Sequence, residues 1–110
     1  MGHYERAGGC YRSALEADAA CAQAAFNLGA LSEDLGDLPG AIHGYRRALE
    51  LDADYADAHF NLAGVLGKAG RPEDAGRHWR RYLELDAESP WAQIARSHLG
   101  AVVHDAEDEP

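Results

Sequence analysis

Apolar residues recur along this chain at steps of three and four positions, with polar and charged residues between them. In the stretch 22–35 the recurring positions are Ala24, Leu28, Leu31 and Leu35. This spacing places the apolar side chains on one face of an α-helix. The pattern predicts six helices, at about 3–17, 22–35, 38–51, 56–69, 72–85 and 90–103.

The whole pattern repeats after 34 residues. Residues 22–55 and 56–89 carry the same letters at FNL, at a glycine near the middle, at RR and at LELDA. Residues 2–21 match the second half of the same unit. A period of this length is typical of stacked helical units, each of which buries its apolar face only against its neighbours.

Turn signals divide each unit into two antiparallel helices. Gly36 and Gly70 stand where the first helix must end, and glycine supplies the left-handed backbone that commonly follows a helix C-terminus. Pro39 and Pro72 follow, where proline is tolerated because a helix is beginning. Small residues on the facing helices, Gly29 among them, allow the two helices of a pair to approach closely.

The repeat resembles the tetratricopeptide repeat over about residues 2–103. The residues that carry the resemblance are Leu28, Gly29, Ala41, Tyr45 and Ala48 in the first full unit, and Ala63, Ala75 and Trp79 in the second. The resemblance implies an all-α fold, a right-handed superhelix of stacked helix hairpins. A single domain would span residues 1–104, with a half repeat at 2–21 and full repeats at 22–55 and 56–89.

The repeat fails after Asp86, and one more helix is expected at 90–103. Ser89 is suited to the N-cap and Pro90 to the first helical position. This helix would cap the stack by covering the last pair with Trp91, Ile94, Ala95, Leu99 and Val102. Residues 105–110 are mostly acidic and have no apolar anchor, so a disordered tail is expected there.

The first predicted helix is the second member of a pair, so its apolar side chains lack the partner helix that the repeat requires. These side chains are Tyr4, Ala7, Tyr11 and Leu15. An apolar edge of this kind favours association. Two interpretations remain open: the chain forms a homodimer through this edge, or it is a piece of a longer array.

The resemblance also implies where a ligand would bind, because first helices of such pairs line a concave groove that holds a peptide or protein segment. The groove residues would be Gln23, Phe26, Asn27, Ala30, Asp57, Phe60, Asn61, Gly64, Gly67 and Lys68, with Glu33 and Asp34 beside them. An Asn amide both donates and accepts hydrogen bonds. Asn27 and Asn61, one period apart, could therefore grip a peptide backbone, unless they are simply solvated.

The other groove positions each have two interpretations. Phe26 and Phe60 are either an apolar floor for a ligand or packing between neighbouring first helices. Gly64 and Gly67 leave room either for a ligand or for the capping helix.

The charge of the chain indicates which classes of binding partner are expected. The formal net charge is −9, which disfavours nucleic acids and anionic membranes. A clamp for a peptide carboxylate needs Lys and Arg in the groove, where only Lys68 is available. We therefore expect a neutral or basic protein segment rather than an acidic one. Arg46, Arg47, Arg80 and Arg81 are interpreted as solvated residues that pair with nearby Glu50 and Glu84.

Nothing in the sequence indicates catalysis. The chain has four Ser and no Thr, and it lacks catalytic triad order, phosphate-binding loops and metal-ligand spacings, so we expect no enzyme activity, cofactor or metal. Without an export signal or a membrane-length apolar run, we expect a cytoplasmic protein. That compartment favours free thiols at Cys10 and Cys21 over a disulfide.

Three functions stay open at this point. The first is an interaction module that acts as a scaffold or adaptor. The second is an assembly unit that multimerises through its N-terminal helix. The third is an appendage of a larger bacterial enzyme or transcriptional regulator, which rests on analogy: nine Arg against one Lys, and a C-terminal sequence that resembles array ends in such proteins.

Overall fold

The computed structural model describes residues 15–108, with side chains described for residues 20–100. Over this range the chain forms helices and no strand. The helices are α1 (Leu15–Asp34), α2 (Leu38–Leu51), α3 (Ala56–Lys68), α4 (Pro72–Leu85) and α5 (Pro90–Asp108). Each helix packs against the next, so α1 pairs with α2, α3 with α4, and α5 lies on α4. The expected all-α solenoid of stacked helix pairs is confirmed.

The turns inside the pairs follow the sequence prediction. Gly36 and Gly70 have φ angles of 80° and 79°, in the left-handed region that glycine adopts without strain. After α1, the Asp37 N–H donates to the Ser32 carbonyl over 2.8 Å. The Asp37 carboxylate then caps α2 by accepting from the Gly40 N–H over 3.0 Å. Asp37 therefore stabilises both the end of α1 and the start of α2.

The start of α5 also agrees with the prediction, but its end does not. The Ala92 N–H donates to the Ser89 hydroxyl over 3.2 Å, and Pro90 is the first helical residue. The helix continues to Asp108, so residues 105–108 are helical where disorder was expected. After Gly100 no Gly or Pro interrupts the helix before Pro110, and nothing in the local sequence stops it. Residues 109–110 lie outside the described range.

The predicted break between 17 and 22 is wrong, because α1 is continuous from Leu15 to Asp34. At the matching junction between α2 and α3, the Asp54 N–H donates to the Asp52 carboxylate over 3.1 Å, which stabilises a turn. Shifting by 34 residues replaces Asp54 and Tyr55 by Ala20 and Cys21. The alanines around this junction favour helix, so the helix runs through it.

Cys21 is buried and disulfide-bonded, so the expectation of free thiols is wrong for this residue. The chain contains one other cysteine, Cys10, which lies outside the described residues. The compartment argument from sequence is therefore overturned for Cys21.

The core lies on both sides of α3. Leu62, Val65 and Leu66 have no exposed surface. Tyr45 of α2 and Trp79 of α4 pack into the same cluster. This central position of α3 leaves the remaining side of the helix as the surface on which a site can form.

The capping helix packs differently from the prediction. Ala92 and Ala95 of α5 are completely buried in the core, and Leu99 packs against it. Trp91 and Ile94, which were expected to cover the last pair, are 58% and 41% exposed. Small residues thus let α5 approach closely, and Trp91 and Ile94 remain exposed.

One face of α1 has no cover among the described residues. Leu28 and Leu31 are 56% and 54% exposed, whereas Leu62 and Val65, one period later, have no exposed surface. α3 receives its cover from the preceding second helix, α2. The repeat predicts the same kind of cover for α1.

The contact between the two helices of a pair differs between the first pair and the second. In the first pair, a Cβ atom on Gly44 would lie 2.6 Å from the backbone of Gly29, so the helices touch through their backbones. In the second pair, the position of Gly44 is taken by His78, and that of Ala25 by His59. The larger side chains there replace backbone contact by a hydrogen bond.

Two hydrogen bonds hold this histidine pair. His59 Nε2 donates to the Ala53 carbonyl oxygen over 2.8 Å, because that oxygen can only accept. The Nδ1 atoms of His59 and His78 lie 3.0 Å apart and share a hydrogen bond. Burial, followed by the charges of His59, Arg46 and Arg77, lowers the pKa of His78 to about 4.

No helix in the described part of the chain has both the length and the apolar character needed to cross a membrane.

Gly44→Ala should destabilise the protein by about 1–3 kcal/mol, because the new methyl group meets backbone atoms that cannot move independently. Gly64→Ala is the matched control. A Cβ atom there meets nothing within 4 Å, so a gain of roughly 0.5–1 kcal/mol is expected from helix propensity. Urea unfolding measures both values. Equal effects of the two substitutions would contradict the close approach of α1 and α2.

Stability should fall as the pH is lowered from about 7 to about 4, because unfolded His78 takes up a proton that the folded protein excludes until its own lower pKa is reached. The contribution is roughly 1–2 kcal/mol after discounting for solvent. His78→Gln should flatten this part of the pH profile, and substitution of exposed His43 by Gln should leave it unchanged. Identical profiles for the His78 variant and the wild type would contradict the assignment.

Candidate functional site

The outward side of α3 carries most of the predicted groove residues. They recur at helical spacing and so share one side of the helix. We call this surface the α3 face: Asp57, Phe60, Asn61, Gly64, Gly67 and Lys68. It contains two depressions, one towards each end of the helix.

The first, which we call the aromatic depression, has a volume of about 260 Å³ and is lined by Phe26, Asp57, Phe60, Asn61, Tyr82 and Trp91. The Phe60 ring lies at steep angles to its neighbours, 64° to Tyr82 at a centroid distance of 5.1 Å and 71° to Trp91 at 5.9 Å. Tyr82 is buried and Trp91 is largely exposed. The depression is thus a wall of tilted rings with a carboxylate beside it.

The second, the glycine depression, has a volume of about 430 Å³ and is lined by Ala63, Gly64, Gly67, Lys68, Trp79 and His98. The Trp79 and His98 rings stack in parallel with centroids 4.8 Å apart. Cβ atoms added to Gly64 or Gly67 would meet nothing within 4 Å. The capping helix therefore does not fill the space that these glycines leave.

Three predicted groove residues, Gln23, Asn27 and Ala30, line neither depression. Gln23 and Asn27 are exposed on α1, and Ala30 packs against the core. Asn61 is half-buried, and its Nδ2 donates to the Tyr45 hydroxyl over 3.4 Å. The two asparagines thus have different surroundings, and the ladder of amides stays a prediction.

The two phenylalanines pack against the following helices as well as facing outward. Phe26 lies 5.4 Å from Tyr45 and 5.1 Å from Tyr55, measured between ring centroids. Phe60 lies 5.1 Å from Trp79, the residue one period after Tyr45. Both are partly buried. Their packing between helices leaves one side of each ring to line the aromatic depression.

A polar chain crosses from α1 to α3 beside the groove. The Tyr45 hydroxyl donates to Glu33 over 2.7 Å, and Lys68 donates to the other oxygen of Glu33 over 3.1 Å. Burial, then the hydrogen bond to Glu33, raises the pKa of Tyr45 above its usual value. The phenol therefore stays protonated. The positive charge of Lys68 is balanced by Glu33, which leaves Asp34 and Asp57 as exposed carboxylates.

Five lining residues were not among the predicted groove residues: Ala63, Trp79, Tyr82, Trp91 and His98. The repeat itself indicates two of them. Shifting by 34 residues places Trp91 in register with Asp57, and His98 in register with Gly64. The repeat thus continues into α5 at groove positions, although the identities of the residues change.

Two of the four arginines near the second-helix C-termini are paired as expected. Arg47 contacts Glu50 at 2.9 Å, and Arg81 contacts Glu84 at 2.9 Å, one period later. A third depression of about 470 Å³, separate from the α3 face, is lined by Pro39, Ile42, His43, Arg46, Arg47, Glu50, Ala69 and Arg71.

Other sequence predictions fall on residues with little or no description. Tyr4, Ala7 and Tyr11 of the proposed dimer edge lie outside the described residues, and Leu15 is described by its backbone alone. Within the described part of the chain, no three His, Cys, Asp or Glu side chains lie close enough together to hold a metal ion.

The fold and the internal period define an α-helical repeat protein, and two family models agree on its type. One, described as tetratricopeptide repeat, matches residues 1–45, and one described as TPR repeat matches residues 33–70. The chain belongs to the tetratricopeptide repeat family. Such repeats generally mediate protein–protein interaction and scaffolding. No curated protein matches the chain.

Proposed function

We propose that the chain is a non-catalytic interaction module that binds a peptide or protein segment along the α3 face. The observation that carries the proposal is the open space along this helix. Two depressions follow each other on one side of α3, and Gly64 and Gly67 keep the backbone accessible between them. Gly64 lies in the helix interior, where glycine lowers the stability of a helix, which favours a use for the space it leaves.

The charge of the α3 face supports a neutral or basic partner. Its single lysine is already paired with Glu33, whereas Asp57 makes no ion pair with any described residue. An acidic segment would meet uncompensated carboxylates and no free cation on this surface. Like charges across an interface reduce both the affinity and the rate of association.

Gly67→Leu should reduce binding of a protein segment at least tenfold, because the new side chain occupies the glycine depression. Gly67→Ala is the matched control, since a single methyl group meets nothing within 4 Å and leaves most of the depression open. A library of neutral and basic peptides, titrated into the ¹⁵N-labelled chain, identifies ligands by shifts along α3. Shifts that never cluster between Asp57 and Lys68 would contradict the groove, as would unchanged affinity in Gly67→Leu.

A second candidate function, self-assembly, is favoured by the exposed face of α1. Leu28, Leu31 and Leu35 form an apolar stripe, with exposed fractions of 56%, 54% and 76%. We infer that a second copy covers the stripe, because three leucines this exposed on one side of a helix favour association.

The weight-average mass should approach that of a dimer as the concentration rises in sedimentation equilibrium. Leu28→Glu combined with Leu31→Glu should keep the chain monomeric, because a charge cannot be buried unpaired at an apolar contact. Ala87→Glu, in an exposed turn, should not change the association. A wild-type chain that remains monomeric at the highest accessible concentration would contradict self-assembly and leave the groove proposal intact.

A further inference from the structure

The aromatic depression differs in charge from the glycine depression and from the third depression. The glycine depression contains Lys68, and the third depression contains three arginines. None of the residues that line the aromatic depression is cationic, and Asp57 is anionic. Its negative charge therefore has no compensating lining residue.

The chemistry of the lining suits a cation in two ways. An aromatic ring attracts a cation to its face, and a tryptophan ring does so most strongly. Trp91 is 58% exposed, so its ring is accessible to a ligand. A carboxylate then supplies a direct charge partner, and Asp57 makes no hydrogen bond or ion pair with a described residue that would occupy it.

A second carboxylate, that of Asp86, makes the electrostatic potential near the aromatic depression more negative. Asp86 accepts a hydrogen bond from the Tyr82 hydroxyl over 3.3 Å, behind the lining. Burial raises the pKa of Tyr82, and the charges of Asp86 and Asp57 add to the effect. The Tyr82 phenol therefore remains neutral and presents a ring rather than an anion. Two carboxylates thus flank the aromatic wall.

We propose that the aromatic depression binds one arginine side chain of the partner segment. The guanidinium lies on the Trp91 ring and donates to the Asp57 carboxylate. Arginine suits the site better than lysine because its planar group stacks on an aromatic face while its N–H groups point outward to acceptors. The free oxygen of the Asn61 amide is a further acceptor on the same wall.

The size of the depression supports a single side chain. Its volume of about 260 Å³ lies below the range of sites that enclose whole small molecules. This inference rests on the proposed function for its partner, a protein segment, but the pocket can be tested separately with a short probe.

The probe is a blocked tripeptide, acetyl-Gly-Arg-Gly-amide, with the citrulline tripeptide as a neutral isostere. In NMR titrations the arginine tripeptide should shift the Trp91 indole N–H and the amides of Phe60 and Asn61. Citrulline should bind roughly three- to tenfold more weakly, and added salt should weaken only the arginine tripeptide. The Trp79 indole, in the glycine depression, is the internal reference.

Two variants test the residues that define the pocket. Asp57→Asn and Trp91→Leu should each weaken the arginine tripeptide roughly three- to tenfold. Both residues are exposed, so little loss of stability is expected. Glu73→Gln, which neutralises an exposed carboxylate at the start of α4 that lines none of the depressions, is the matched control and should leave the affinity within twofold.

The outcomes separate this inference from the groove proposal. Equal binding of arginine and citrulline, or unchanged affinity in both variants, would overturn the pocket. If library peptides still bound along α3, the groove would stand without an arginine site. The arginine tripeptide could bind at Trp91 while longer segments fail to bind across Gly64 and Gly67. That result would support the arginine pocket and contradict the groove proposal.

Discussion

The distance between the two helices of a pair is the constraint on which the rest of this structure depends. In the first pair it is set by contact between glycine backbones, where a Cβ on Gly44 would reach within 2.6 Å of Gly29. In the second pair it is set by the hydrogen bond between His59 and His78. In both pairs this contact holds the second helix against one side of the first helix. The opposite side of the first helix is left free.

The free side of α3 becomes a site because of what the repeat places beside it. α3 lies between the first pair and the capping helix, so α1 contributes Phe26 on one flank and α5 contributes Trp91 on the other. The 34-residue period thus positions the residues around the α3 face as well as those of the core. The Glu33–Lys68 ion pair links α1 to α3 and removes the only lysine charge from this surface. The remaining side chains around the aromatic depression are aromatic or acidic, apart from Asn61.

Much of the fold could be predicted from the sequence, because helical periodicity and turn residues are local signals. Gly36, Gly70 and Ser89 mark helix ends by their own backbone or side-chain chemistry, and the structure confirms them. The junction at 17–22 could not be recognised by matching it to the repeat. Its turn depends on residues such as Asp54, and Ala20 at the equivalent position favours a continuing helix.

The site was predicted less completely than the fold. Spacing on a helix indicates which residues share a side, so seven of the ten predicted groove residues line a depression. Spacing does not show which large residue of a neighbouring helix remains exposed. Trp91 was assigned to the core by its hydrophobicity, yet Ala92 and Ala95 fill that place because they let α5 approach closely. The disulfide of Cys21 likewise depends on tertiary structure rather than on composition.

The most direct measurement is a structure of the chain with a bound arginine-containing segment. The account predicts that the segment lies along α3, over Gly64 and Gly67, with the arginine between Trp91 and Asp57. A segment bound instead in the depression around Arg46 and Arg71, or on the leucine stripe of α1, would contradict it.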